Sequence, residues 1–303
     1  MKKYIIVFNL LFSVLVFSQS DPKLSIFSYN PLQYNPAYAG AFDGLSVTGL
    51  YSTQWVGFEG APKTLFFSAH SNVFEREIGL GVNITSDKLG PVQENQLLGN
   101  FAYNIFLNDD VSLTLGLKAG IKNYIIDYRL LSIENPEEAG LVHGYFNQYS
   151  PLIGAGFYLS DPNGYIGIAA PSILKTNFYT DSKTSVANSK PNYYLSAGYK
   201  FEIGYEVYLA PNLLTRVTSG APVCNLFSLN LDYENRLMGS VNFQPSSSFG
   251  GFFGYRFENN FSIGYAYDSV ISNFSTAAGG CHTFYLNFRI DELLSSHTGY
   301  STF

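Results

Sequence analysis

From residue 42 to residue 290 the chain reads as about fourteen segments of alternating polar and apolar residues, and the joints between them run long, then short, in turn. That rhythm leaves few folds open. An up-and-down barrel in an outer membrane has tight turns at its periplasmic end and larger loops outside, with both chain ends on one side when the strand number is even. Segments are expected near 42–54, 62–72, 77–86, 94–106, 110–125, 149–160, 163–170, 191–201, 204–215, 223–234, 236–243, 248–258, 260–268 and 281–290. Short joints fall at Val73–Arg76, Leu107–Asp109, Asp161–Pro162, Glu202–Ile203, Glu234–Asn235 and Asn259. Longer ones fall at Trp55–Ala61, Asp87–Gln93, Ile126–Gln148, Pro171–Lys190 and Ser269–Gly280, while Gln244–Ser247 breaks the rhythm by being small.

The alternation is cleanest in 111–122, where Val111, Leu113, Leu115, Leu117, Ala119 and Ile121 oppose Ser112, Thr114, Gly116, Lys118, Gly120 and Lys122. In 96–105, Leu97, Gly99, Phe101, Tyr103 and Ile105 oppose Gln96, Asn100 and Asn104, and 192–201 and 282–290 repeat the pattern. A soluble β-sandwich alternates too. Sandwich strands, however, are mostly about five or six residues long, whereas a tilted membrane strand needs ~9–11, the length seen here. Aromatic residues gather near segment ends (Tyr51 and Trp55, Tyr193 and Tyr194, Tyr265 and Tyr267), where interfacial girdles belong. Only 13% of residues are charged and 17% are aromatic, against about 25% charged in ordinary soluble domains. Past residue 20, no apolar run approaches the ~18 residues of a spanning helix. The expected fold is therefore all-β: one antiparallel transmembrane barrel of about 14 strands over 42–290.

Residues 1–20 read as a secretory signal, with Lys2 and Lys3 ahead of an apolar run and cleavage near 18/19 or 20/21. Loss of both lysines leaves a chain more acidic than the full-length −6, which argues against a nucleic-acid partner. Residues 21–41, rich in Pro, Tyr and Asn, are too broken for a strand and are expected to form an irregular periplasmic segment in or under the barrel. Residues 291–303 form a polar tail ending in Phe303; Phe288, in the last strand, is the better candidate for a barrel-assembly signal. Cys224 and Cys281 have no framework spacing and read as small apolar side chains.

Asn30-Pro31-Leu32, followed by Asn35-Pro36-Ala37-Tyr38-Ala39-Gly40, closely resembles the N-terminal signature of the PorP/SprF family. The likeness continues through Tyr51–Phe58, Gly60–Thr64, Ser68-Ala69-His70, Gly79–Val82 and Asp87–Pro91, then through Gly116–Gly120, Tyr193–Tyr199, Gly220–Pro222 and Ile263–Asp268. One departure is visible: Gly280-Cys281-His282-Thr283 lacks the Glu that typically opens the family's last strand. The resemblance implies a non-enzymatic outer-membrane component of the type IX secretion system. It would support secretion or surface attachment of large adhesin-like clients, contact periplasmic ring proteins and lipoproteins, and, in some members, serve gliding motility.

Two sets of residues are candidate sites. Asn30, Pro31, Asn35, Pro36, Tyr38 and Gly40 could cap the barrel or dock a periplasmic partner. Each Pro biases the Asn before it toward an extended backbone, from which the Asn side chain can bond to the nearby backbone. Gln54, Trp55 and Phe58 could anchor the barrel at the lipid interface or form an external binding loop. Catalytic, metal and cofactor sites are not expected. His70, His143, His282 and His297 lack ligand spacing, and Ser172–Lys175 fits S-x-x-K without its companion motifs. Glu134, Glu137 and Glu138 read as a solvated loop, with calcium binding a weaker alternative. A competing function is a passive pore for small solutes, lined by Lys118, Lys122, Asn100, Asn104, Asn230 and Asp232 if the apolar parity faces lipid.

Overall fold

A computed structural model describes residues 26–290, apart from Asp43, Glu75, 131–144, 180–184 and 272–278. The signal, the polar tail, the Glu134–Glu138 cluster, His143, His297 and Phe303 lie outside the described residues.

The strands are β1 (Leu45–Thr53), β2 (Lys63–Val73), β3 (Ile78–Leu89), β4 (Val92–Phe106), β5 (Ser112–Asp127), β6 (Tyr145–Ser160) and β7 (Gly164–Ser172). A detached hairpin, β8 (Thr176–Tyr179) and β9 (Ser185–Ser189), follows. The wall resumes with β10 (Asn192–Tyr199) and β11 (Phe201–Gly204), then β12 (Val207–Thr218), β13 (Cys224–Tyr233), β14 (Leu237–Gln244), β15 (Ser248–Arg256), β16 (Phe261–Val270) and β17 (Cys281–Ile290). Each wall strand pairs antiparallel with its chain neighbour. The first and last close the ring from Leu45↔Ile290 to Thr53↔His282. β10 and β11 pair with successive stretches of β12, from Asn192↔Thr218 to Phe201↔Leu209, so they are one strand interrupted at Lys200. The result is a closed fourteen-stranded antiparallel barrel.

The reason for closure is visible in the parity. Outward positions are apolar and open: Leu117 is 60% exposed, Phe157 55% and Phe253 64%. Inward positions are polar or small and buried, among them Ser46, Thr48, Asn83, Asn100, Lys118, Ser196, Asn242 and Asn287. A barrel in lipid must satisfy its backbone within the wall and present hydrocarbon outside, and this pattern does both. No helix among the described residues is long and apolar enough to cross a membrane. Neither Cys224 nor Cys281 is in a disulfide; Cys281 is buried beside Ser52, and Cys224 accepts from Gln244.

At one end every joint is short: 74–77, 107–111, 161–163, 205–206, 234–236 and 257–260. Glu234 and Asn235 both have φ +52, the twist that suits tight hairpins. At the other end the joints are 54–62, 90–91, 128–144, 173–191, 219–223, 245–247 and 271–280.

Two expected joints are corrected. The long loop at Asp87–Gln93 is instead a two-residue turn, because β3 and β4 stay paired up to Leu89↔Val92. Polar side chains bond across that ladder beyond the apolar band: Ser86 donates to Asn95 at 2.7 Å and Gln93 to Ser86 at 3.4 Å. The turn expected at Glu202–Ile203 lies at Tyr205–Glu206. Glu202 looks like a turn residue in sequence because it stands on the exposed rim of the strand, where polarity carries no topological information.

Candidate functional site: a lumen filled by the N-terminal segment

The residues ahead of β1 run through the inside of the barrel. Three short 3-10 turns, Phe27–Tyr29, Pro31–Gln33 and Pro36–Tyr38, carry the chain from the middle of the lumen to the short-turn end, where β1 begins. Pro31 and Pro36 each open a turn, the position where a missing N–H costs nothing. Asn35 is extended (φ −126, ψ 110), and its side-chain oxygen accepts from Ala37 N at 3.0 Å. Asn30 makes no such cap.

The segment is packed and hydrogen-bonded rather than merely enclosed. Phe27 and Tyr34 cluster with Ala169, Tyr194, Leu214 and Leu226. Ile26 clusters with Leu50, Phe66, Met238, Phe252, Ala266 and Tyr285, with Tyr29 against them. Leu32 and Ala39 meet Ala102, and Ala37 meets Tyr158 and Tyr165. Asn83 Nδ2 donates to the Leu32 carbonyl at 3.0 Å, and the Lys118 ammonium to the Leu32 and Gln33 carbonyls, each at 3.3 Å. Asn35 Nδ2 donates to the Phe157 carbonyl at 3.1 Å, Gly40 N to His70 Nδ1 at 3.2 Å, and Gly44 N to Asn72 Oδ1 at 3.2 Å. Together these clusters and bonds reach all fourteen strands of the wall. Buried polar backbone needs partners, and here the wall's inward side chains supply them.

The wall is shaped for this segment. Gly40 has φ +74, and a Cβ there would stand 2.5 Å from Gly79 Cα. A Cβ on Gly79 would stand 2.5 Å from the Ala39 carbonyl carbon, and one on Gly116 2.5 Å from the Pro36 carbonyl carbon. Gly156 and Gly167 make room in the same way for the Asn35 amide. Tyr38 packs edge-on against His70 (5.5 Å) and Tyr158 (5.7 Å), and Tyr158 stacks on Tyr165 at 5.2 Å. Tyr34 is 2% exposed, and burial pushes its phenol well above the ordinary range, so it stays neutral.

Asn30, Pro31, Asn35, Pro36, Tyr38 and Gly40 therefore stand together inside the lumen, all but Tyr38 buried. Gln54, Trp55 and Phe58 stand apart from them, beyond the end of β1 in the 54–62 joint; Trp55 is 38% and Phe58 51% exposed, and Trp55 has φ +50. Of the residues expected to line a pore, Asn100, Lys118 and Lys122 are buried inside, and Asn230 accepts from Ser28 of the N-terminal segment. The sequence did not single out Asn83, Tyr158, Tyr165 or Gly167. Their signal was the inward parity itself, where Asn and Gly recur opposite apolar neighbours.

Beside the segment, a cavity of about 430 Å³ reaches the short-turn end, lined among others by Tyr29, Tyr208, Asp232, Arg256, Tyr285 and Arg289. Arg256 lies 3.9 Å from Asp232 and donates to the Asn235 carbonyl at 3.1 Å. Nothing in this set pairs a nucleophile with a base. Among the described residues no three His, Cys, Asp or Glu side chains gather as a metal would require.

Solved structures share the architecture. The chain is similar to the toluene transporter TbuX of Ralstonia pickettii, with a TM-score of 0.51 and 12% identity over 85% of this chain and 92% of that one. It is also similar to the monoaromatic hydrocarbon channel CymD, with a TM-score of 0.54 and 13% identity over 86% and 92%. At such identities the likeness concerns the fold alone. No curated protein sequence matches the chain. The model of the type IX secretion system membrane proteins PorP/SprF matches residues 16–288, nearly the whole length, and the chain belongs to that family.

Proposed function

We propose that this barrel is a non-enzymatic outer-membrane component of type IX secretion that works through protein contact. It would support export or surface attachment of large adhesin-like proteins and, with them, gliding motility. The short-turn end would face the periplasm and meet ring proteins and lipoproteins there, leaving the long joints outside for a client. The observation that carries this reading is the seated N-terminal segment: its buried clusters and hydrogen bonds reach every strand of the wall, so the lumen is occupied by structure rather than held open for conduction. With the signature residues buried in the lumen, a partner would read the rim formed around them, not Asn30 or Asn35 directly.

Deleting the gene and assaying surface adhesins and gliding tests the proposal. Loss of export or retention is expected, and unchanged surface display of every adhesin would refute it. The competing pore reading has the 430 Å³ cavity and the inward Lys122 and Asp232 in its favour. Planar-bilayer recording of the purified barrel separates the two. Steady, solute-selective current would favour the pore; silence favours the contact role.

A further inference from the structure

The wall is not level at its long-joint end. β5 and β6 stay paired out to Asp127↔Tyr145, but β7 follows β6 only to Ala155↔Ala170, with one further bond from Ile173 N to the Ile153 carbonyl at 2.8 Å. Beyond Ile173 the chain enters the β8–β9 hairpin, whose strands pair only with each other. Among the described residues, one side of β6 therefore has no partner strand from Tyr145 to Leu152. Backbone groups in an antiparallel strand face alternate sides, so those of Tyr145, Asn147 and Tyr149 share the side of the Ile153 carbonyl. Their N–H and C=O groups stand along an open edge. That edge lies beyond the apolar band: the last apolar row across the wall is Leu97, Ile121 and Pro151, and the next is Asn95, Asn123 and Tyr149. Unpaired backbone is untenable in hydrocarbon. In water it is tolerated, but it is a template for another strand. Edges of this kind are ordinarily blunted by charge or proline, and Tyr145–Ser150 contains neither.

We propose that the Tyr145–Ser150 edge takes up an extended segment of an exported client protein as an added strand. The edge selects its occupant through the backbone, because an extended polypeptide offers donors and acceptors at the matching two-residue repeat of about 6.8 Å. A second copy of this chain does not fit. The vacant place continues the line of β7, and another barrel's β6, which runs on into its own wall, would collide with β7 there. A free segment arriving from the long-joint side meets no such obstacle. That the segment belongs to a client rests on the function proposed above, in which the long joints face outside.

The probe is a synthetic peptide copying Lys118–Asp127, the stretch of β5 that already pairs with the other side of β6. It is added to the purified barrel in mild detergent, and amide hydrogen exchange is read at single-residue resolution. Without peptide, the Tyr145, Asn147 and Tyr149 amides are expected to exchange fast and those of Phe146, Gln148 and Ser150, which face β5, slowly. With peptide, the first three are expected to slow by about tenfold or more. Asn147→Pro removes the central donor on the open side, where a strand tolerates proline, and is expected to weaken peptide binding by about tenfold. Tyr145→Pro replaces it should that variant not fold, with heat-modifiable gel mobility as the check. Slow exchange of the three amides in the peptide-free barrel, no slowing at millimolar peptide, or undiminished binding by a folded proline variant would overturn the proposal. In cells, Asn147→Pro is expected to impair adhesin display as gene deletion does. Normal display in that variant, with display lost on deletion, would overturn the assignment of the edge to a client while leaving the proposed function intact.

Discussion

The clearest consequence of the filled lumen is that one added side chain on the inner wall should unseat the N-terminal segment while the barrel survives. Gly116 is the place to add it. Its missing Cβ would lie 2.5 Å from the Pro36 carbonyl carbon and nearer still to Ala37, whereas ordinary carbon–carbon contact is about 3.5–4.0 Å. In Gly116→Val, segment or strand must retreat by roughly 1 Å or more. The strand is held by two ladders, Gly116↔Ala102 and Gly116↔Gly156, so the segment is the part that moves. Overpacking of this kind costs about 1–3 kcal/mol. The displaced backbone also strains the Asn35–Phe157 and Gly40–His70 bonds, each worth about 0.5–1.5 kcal/mol net. A total of about 2–6 kcal/mol against the seated state raises the unseated population by roughly 30- to 20,000-fold. Planar-bilayer recording reads this as frequent openings where the wild type is quiet. Gly99→Val is the control, because a Cβ there faces outward with its nearest neighbour, the Ala119 carbonyl, at 3.8 Å. A folded Gly116→Val barrel as silent as the wild type would show that the segment does not block the lumen as argued.

Other outcomes follow from the same contacts. Asn83→Leu removes the donor to the Leu32 carbonyl and leaves Asn100 Nδ2 without its acceptor; we expect a loss of about 1–3 kcal/mol, visible as protease cleavage within the N-terminal segment at lower denaturant. Lys118→Met is expected to be much milder, within about 1.5 kcal/mol, because the Leu32 carbonyl keeps its bond from Asn83 and a buried charge is replaced by a side chain of similar volume; a larger loss than in Asn83→Leu would invert the ranking argued here. Trp55 is the single tryptophan of the chain, so its fluorescence tests the two readings of the 54–62 joint. An interfacial anchor is quenched by phospholipids brominated close to the headgroup, and an unquenched signal would assign the joint to an external binding loop. Gly79→Ala should resemble Gly116→Val in conductance, since its Cβ would also meet backbone, at the Ala39 carbonyl carbon; wild-type silence in that variant would count against the close fit at the short-turn end.

How much was readable in advance differs from element to element. The alternation in 111–122 correctly assigns Leu115, Leu117 and Ile121 to the outside and Lys118 and Lys122 to the inside, because side-chain direction in a strand is set by position alone. The same reasoning misplaced the ends of β3 and β4. There the ladder continues past the apolar band on polar cross-strand bonds, and polarity outside the membrane does not distinguish strand from loop. It also misplaced the turn after β11 by a few residues, for the same reason.

Local sequence by itself determined the wall: period-two patterning, long segments and sparse charge admit a membrane barrel and little else, since backbone in lipid must find its partners within a closed sheet. The tertiary structure alone decided what fills that wall. Gly79, Gly116, Gly156 and Gly167 sit on four different strands, and nothing near them in the chain announces that each leaves space for the segment between Asn35 and Gly40. That fit depends on the strand registers and on closure of the ring, which bring residues from about 40 to about 130 positions apart into van der Waals contact. No periodicity along a single strand records it.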